Sequence, residues 1–519
     1  MYYFLKRLPN CIFWILPLVI SFFLKGFLSF SDAVINSDGV LYLQAAQMIA
    51  DGQFGQSLSL YAMPAYPFLI AAVHTIVPDW IIAAKLIGLS TAAAITVPIY
   101  LLTALLFDRK AAFYAAMAVA VLPSLNDIAP DVIRDPCFLF LACWSVYWMV
   151  KASMTEHIGG VFWAFVIGGA ALLFRIEAIS LFVTYLMYLA GLSVFADKHR
   201  RFAIKSLLFL LIPSLVGMVS LVSVGSTAEG MNRVVQLQMM GQDLINGSFF
   251  ARYQHIYTYL KESERLSALP SGDFYKLARH YMPLIYSLGM LEDFLKALFF
   301  PYAAALWVAR RYCLALKKMY VLMLVLIVHG LMVFIYFLYY DYLSSRYLLL
   351  SALLVLPLVG QGAVMLENKC RQLRWQKTSL AILLMIFLVL PLYRTATSAI
   401  GEDGVIARTG HWLSDQLDIR QAGWAVNDLR YYIYAGKQFN YHEEKRAALA
   451  NGRLLIEKKF ETLESQAREA GKKVIIIKTS KKGAGSNPAF RHFHKIKQIE
   501  SQRSIVSIYA DSLLMSPSP

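Results

Sequence analysis

Charge is what this chain has least of, and acid is scarcer than base. Only 16% of its 519 residues are charged, and 33 Asp and Glu stand against 49 Lys and Arg. A soluble chain carries about a quarter charged residues, so one water-exposed globule is excluded. The excess of base amounts to a formal +16, but the cations gather in short clusters between apolar segments, where membrane topology puts them. No nucleic-acid partner follows from that pattern. Cysteine is scarce too: Cys11, Cys137, Cys143, Cys313 and Cys370 lie in apolar segments or basic loops, which argues against a disulfide framework and against metal-ligand spacing. His255, His280, His411 and His442 also lack ligand spacing and read as surface or loop residues. No repeat recurs at a fixed period. No small-residue cleavage site follows the apolar run after Lys6 and Arg7, so 1–30 reads as a retained first span.

What remains is apolar: 58% of the residues are hydrophobic and the mean hydropathy is +0.53. The fold class is a polytopic α-helical membrane protein with a small C-terminal α/β domain. At about 20 apolar residues per crossing, the sequence predicts spans near 11–30, 80–106, 111–126, 136–151, 159–174, 177–196, 202–225, 290–309, 319–340, 347–366 and 378–394. That makes about eleven crossings. The basic clusters Lys6/Arg7, Arg109/Lys110, Lys151, Lys198/Arg200/Arg201, Arg310/Arg311/Lys317/Lys318 and Lys369/Arg371/Arg374/Lys377 fall on every second connection. The expected orientation therefore has the N-terminus in the cytoplasm and the C-terminus outside, as in a bacterial inner membrane.

The membrane domain is expected over 1–394, with a first outer loop at 31–79 and a long one at 226–289; the outer α/β domain follows at 395–519. Within the first loop, 63–78 is apolar but short and bounded by proline, which suits an interfacial helix. The amphipathic portion 253–265 of the second loop fits a flexible lid. In the tail, Trp424–Asn427, Lys473–Lys478 and Ser504–Tyr509 read as strands and 443–470 as a polar helix.

Ionisable groups in or beside hydrocarbon cost about 2.5 to 3.5 kcal/mol at mid-helix, so those that persist face a cavity or a partner. Asp38, Lys85, Asp131, Arg134, Asp135, Arg175, Glu177 and Arg346 all fall at the outer ends of spans or in adjoining loops. Acids and cations converging there suit a site that holds a lipid-linked phosphate and deprotonates a hydroxyl. Arginine pairs with phosphate in fork geometry, and a carboxylate serves as general base. Structural readings stand beside these. Ser37 and Asp38 suit a helix start, Arg175 and Glu177 can close a turn, and Arg134 can pair with Asp131 or Asp135. Lys85 and Arg346 can snorkel as interfacial anchors. The run Tyr336–Tyr342 fits an aromatic belt better than a sugar platform.

The ordered set of Asp38, Met63-Pro64-Ala65-Tyr66-Pro67, Ala83-Ala84-Lys85, Arg134-Asp135, Leu173-Phe174-Arg175-Ile176-Glu177 and Ser345-Arg346-Tyr347 resembles the GT-C fold membrane glycosyltransferases. It is most similar to their protein mannosyltransferase and lipid A aminoarabinose transferase group. The resemblance implies a multi-pass enzyme that takes a sugar from a polyprenyl-phosphate donor to an acceptor hydroxyl on lipid, protein or polysaccharide. By position it implies catalytic roles for Asp38 and Asp135, with Asp131 as the nearby substitute. Lys85, Arg175 and Arg346 would meet the lipid phosphate, with Arg134 and Glu177 beside them; a divalent metal is possible in such a site. Two departures stand out: many members have a second acid where this chain has Gly39, and the usual His-Pro-Pro opening is Met63-Pro64-Ala65 here. A transporter or flippase would place charges at mid-membrane on repeat-related helices, and a polysaccharide ligase or polymerase would concentrate its chemistry in a large outer loop.

Overall fold

The computed structural model describes residues 12–31, 34–61, 63–210, 242–243, 245–266, 272–315, 317–372, 385–398, 404–416, 423–426, 428–437, 474–481, 493–500 and 504–511. Among them, six helices are long and apolar enough to cross a membrane: Ile12–Ser31, Trp80–Leu106, Asp135–Thr155, Ile176–Phe195, Tyr320–Tyr340 and Ser345–Lys369. Each falls on an expected span. Three other expected spans take different forms. Residues 111–126 become Arg109–Ala120 and, after a turn, Pro123–Ile128, with proline at the position that needs no N–H. The span at 159–174 becomes Ile158–Leu172, 15 residues long. The span at 290–309 becomes Met282–Leu298 and Tyr302–Ala315, because Phe299 takes a left-handed φ of 69° and Pro301 follows. The expected spans at 202–225 and 378–394, and the polar helix at 443–470, lie partly or wholly outside the described residues. The interfacial stretch forms Ala65–His74, ten residues and too short to cross.

The bundle is built around Ser345–Gln372, whose apolar window is 89% buried. Two of its glycines set the spacing: a Cβ on Gly360 would lie 2.3 Å from the Ala111 carbonyl oxygen, and one on Gly362 only 2.0 Å from that of Ala305. Backbones meet there, as small residues allow between membrane helices. Ile12–Ser31 and Tyr320–Tyr340 are only 28% buried and present Phe22, Phe23, Phe27, Ile327 and Leu331 outward. Such side chains face lipid at no cost.

The tail forms a four-stranded sheet from β1 Gly423–Val426, β2 Val474–Lys481, β3 Phe493–Glu500 and β4 Ser504–Asp511, in the order β1-β2-β4-β3. β1 runs parallel to β2, and the other pairs are antiparallel. β3 was not among the expected strands. A bulge between Lys495 and Lys497 interrupts its alternation, and its lysines suit an edge strand. The sheet, with helices Val405–Ser414 and Arg430–Tyr434, closes a second core that also takes in Val34 from just beyond the first helix. The tail is thus packed onto the segment that leads to Asp38.

Candidate functional site

Residues 34–39 are held from two sides. From the tail, the Tyr434 hydroxyl accepts the Ile35 N–H at 2.8 Å, and Arg430, paired with Asp428 at 2.7 Å, donates to the Ile35 carbonyl at 3.2 Å. From the membrane domain, Asn36 Oδ1 accepts the Val132 N–H at 2.8 Å. Asn36 is the N-cap of Ser37–Ala50, yet its side chain makes no capping bond, because that oxygen serves Val132 instead. Asp38 falls in the first helical turn, where the helix dipole favours a carboxylate, and its side chain is exposed. Gly39 has a steric reason to be glycine. A Cβ there would stand 2.9 Å from Val132 Cβ and 3.0 Å from Asn36 Oδ1, so any side chain would push the helix start off the 131–133 segment.

This junction borders a cavity of about 800 Å³. Its carboxylates are Asp38, Asp127, Asp131 and Glu292, and its cations are Lys296, Arg346 and Arg394. Asp38 and Arg346 take no hydrogen-bond or ion-pair partner among the described residues. Lys296 pairs with Glu292 at 2.7 Å and Asp293 at 3.4 Å. Arg346 lies in the first turn of Ser345–Gln372, whose unsatisfied N–H groups add to the positive potential it projects. The cavity therefore offers an unpaired carboxylate in Asp38 and an unpaired cation in Arg346. Tyr42, on the Asp38 helix, does not compete as a base, since burial pushes its phenol far above the ordinary value.

The other expected residues sit elsewhere. Arg175 is buried and bonded to Asp135 and Glu177, with its Nε 3.0 Å from Glu177 Oε1 and its guanidinium over the rings of Tyr347 at 4.9 Å and Phe138 at 5.7 Å. Arg175 and Glu177 meet although they are two apart, because Arg175 is extended ahead of the short turn Ile176–Ala178. Arg134 donates to the Tyr61 hydroxyl and to Met63 Sδ at 3.0 Å. These two arginines and two acids balance in charge, and none lines the cavity. Lys85 does not line it either: its buried ammonium donates to the Ser29 carbonyl at 2.8 Å, and the Ser29 hydroxyl donates to the Ala129 carbonyl at 3.1 Å. Lys85 thereby braces the base of the 129–133 loop.

Of the eight expected residues, Asp38, Asp131 and Arg346 meet at the cavity. The sequence reading did not name Asn36, Asp127, Glu292, Lys296 or Arg394. Glu292 and Lys296, four apart on a helix, look like an ordinary surface pair, and Arg394 ends an apolar run where an anchor is common. As for a metal, no group of three His, Cys, Asp or Glu side chains among the described residues could hold one. Asp135 is taken by Arg175.

The family model described as dolichyl-phosphate-mannose-protein mannosyltransferase matches residues 62–224. Among solved structures, ArnT from Cupriavidus metallidurans in the apo state is similar with a TM-score of 0.55 at 11% identity, covering 98% of this chain and 99% of that one. The same protein bound to undecaprenyl phosphate gives 0.53 at 12%, with the same coverage. Archaeal oligosaccharyltransferase AglB from Archaeoglobus fulgidus, in complex with an inhibitory peptide and a dolichol-phosphate, gives 0.51 at 14%, over 89% of this chain and 69% of that one. No curated protein matches the chain in sequence.

Proposed function

On the GT-C glycosyltransferase fold that this chain has, we propose an enzyme that moves a sugar from a polyprenyl-phosphate donor to an acceptor hydroxyl on lipid, protein or polysaccharide. The reaction takes place at the outer face of a bacterial inner membrane, with the cytoplasmic ends marked by the Lys and Arg clusters. Similar proteins support the donor class, since ArnT was solved with undecaprenyl phosphate and AglB with a dolichol-phosphate.

The observation that carries the proposal is the cavity lined by Asp131, Arg346 and Asp38, the last with no hydrogen-bond or ion-pair partner among the described residues. Arg346 and the helix start behind it hold the donor phosphate, leaving the anomeric carbon toward Asp38. The acceptor O–H gives its proton to the Asp38 carboxylate as its oxygen attacks that carbon from the face opposite the phosphate. The bond from the anomeric carbon to the phosphate oxygen breaks with its electron pair on the phosphate, and the configuration inverts. Charge that develops on the leaving phosphate is stabilised by Arg346, where a preorganised cation counts most. Asp131 orients the acceptor from the neighbouring loop.

The test is mass spectrometry of envelope glycolipids and glycoproteins from a deletion strain complemented with wild type or Asp38→Asn. Wild type restores a sugar-bearing species and the variant does not. Full restoration by Asp38→Asn would remove Asp38 from the mechanism.

A further inference from the structure

A second cavity, of about 770 Å³, lies between helices Ala251–Leu266 and Gly272–His280. Its wall is aromatic and basic, with Tyr253, Tyr257 and Tyr281 alongside Lys276, Arg279 and His280, and no acidic residue among the described ones lines it. Arg279 sits over the Tyr257 ring at 5.5 Å and pairs with Glu264 at 3.1 Å. Lys276 has no hydrogen-bond or ion-pair partner among the described residues.

The cavity is continuous with an apolar stripe. Phe274, Leu277, Tyr281, Leu284, Leu288 and Leu291 recur at intervals of three and four residues, all between 47 and 69% exposed. That spacing puts them on one helical face. The stripe runs unbroken through the helix junction, because the Tyr281 N–H bonds to the Leu277 carbonyl and the Ile285 N–H to that of Tyr281, both at 2.9 Å. The opposite face carries Met282 and Tyr286, which are buried, and Tyr286 donates to Asp341 at 2.6 Å. The helix is therefore anchored to the bundle on one side and bare on the other.

We infer that this surface binds an anionic membrane lipid, its phosphate in the cavity at Lys276, Arg279 and His280 and an acyl chain along Leu284, Leu288 and Leu291. Charge complementarity selects the headgroup, and the stripe that leaves the cavity selects a lipid over a soluble phosphate. A multi-pass protein meets lipid on the face that turns away from its own bundle. This site is separate from the one around Asp38. Helix Met282–Leu298 gives Pro283 to one cavity and Glu292, Leu295 and Lys296 to the other, about 14 Å or more further along at 1.5 Å per residue.

Binding, with no donor and no turnover, tests it independently of the transferase reading. Full-length protein in detergent is titrated with dioleoyl phosphatidylglycerol, dioleoyl phosphatidylcholine and glycerol 3-phosphate and read by native mass spectrometry. Phosphatidylglycerol binds at least tenfold tighter than phosphatidylcholine, and the double variant Lys276→Ala/Arg279→Ala loses about thirtyfold of that affinity, taking roughly 1 kcal/mol per cation. Leu284→Asn/Leu288→Asn weakens both lipids alike. In wild type, raised salt narrows the gap between the two lipids, which keeps the test open should a variant misfold. Equal binding of the two lipids, or full phosphatidylglycerol affinity in the charge variant, overturns the inference. Glycerol 3-phosphate bound as tightly as phosphatidylglycerol would make the occupant a free phosphate compound and would overturn it too.

Discussion

Gly39→Asp places a second acid beside Asp38, as in the family that the chain resembles, and the structure says that this gain of family likeness costs activity. The new Cβ would stand 2.9 Å from Val132 Cβ and 3.0 Å from Asn36 Oδ1. Neither neighbour yields easily: Val132 is fully buried, and Asn36 is tied to the Val132 N–H at 2.8 Å. Overpacking of this kind costs about 1 to 3 kcal/mol, and the helix start relieves it by moving off the 131–133 segment. Asp38 moves with it. A shift of about 1 Å in a catalytic group lowers the rate roughly a hundredfold, so kcat falls by about that factor. The donor KM changes little, because Arg346 stands on another helix. Gly39→Ala separates sterics from charge and produces most of the loss by itself. The assay is transfer of a radiolabelled sugar from a polyprenyl-phosphate donor by purified protein, with kcat and KM measured separately. Wild-type kcat in Gly39→Asp would refute the close-approach argument, and a loss in Gly39→Asp that is absent in Gly39→Ala would assign the effect to charge.

Four further outcomes follow from the same geometry. Asp38→Asn lowers kcat by about 10² to 10⁴, the range for loss of a general base, with the thermal melt unchanged because Asp38 is exposed; a melt that falls with the rate would mark a structural role. Arg346→Ala raises the donor KM by about tenfold or more, the worth of a charge-assisted hydrogen bond, and unfolding in detergent would instead favour an anchor. Arg175→Ala strands the buried Asp135 and the partly buried Glu177 and lowers stability by about 3 to 5 kcal/mol, read as lost yield or a lowered melt; full stability with lost transfer would put Arg175 in direct contact with substrate. Arg430→Ala lowers transfer although Arg430 lies outside the cavity, and Arg430→Lys recovers part of it; full activity in Arg430→Ala would show that the tail does not position residues 34–38.

Long apolar runs announce their own helices, which is why six spans were legible in the sequence. Where a run breaks was not: the left-handed φ at Phe299, two residues before Pro301, leaves no mark in hydropathy. β3 escaped for a related reason, since the bulge at Lys495 to Lys497 spoils the alternation that identifies a strand. At the site, the cost of charge beside hydrocarbon flagged all eight residues alike, because sequence reveals that a cost exists and not how it is met. Asp38 and Arg346 meet it by facing an open cavity, whereas Arg175 meets it with Asp135 and Glu177. The hold of Tyr434 and Arg430 on Ile35 spans 399 and 395 residues of chain, and no local pattern encodes it.

That difference in compensation decides where a phosphate can bind. The set of Arg134, Asp135, Arg175 and Glu177, in which Asp135 and Arg175 are buried and the other two partly so, is neutral as a whole, and Arg175 already donates to two carboxylates. A phosphate could claim Arg175 only by displacing one of them, at about the cost of breaking a buried pair, 3 to 5 kcal/mol. Arg346 has no such bond to give up. The proposed phosphate site is therefore at Arg346, and the neutral set contributes through stiffness: Arg175 lies against the ring of Tyr347, the next residue along from Arg346, at 4.9 Å. The same reasoning separates the acids. Asp135 neutralises Arg175 and is tied to it, whereas Asp131, four residues earlier, stays at the cavity beside the Asn36 to Val132 bond. A base must be able to take a proton without breaking an ion pair, and Asp38, which has no such partner among the described residues, meets that condition at the cavity, which is why the proposed chemistry starts from it.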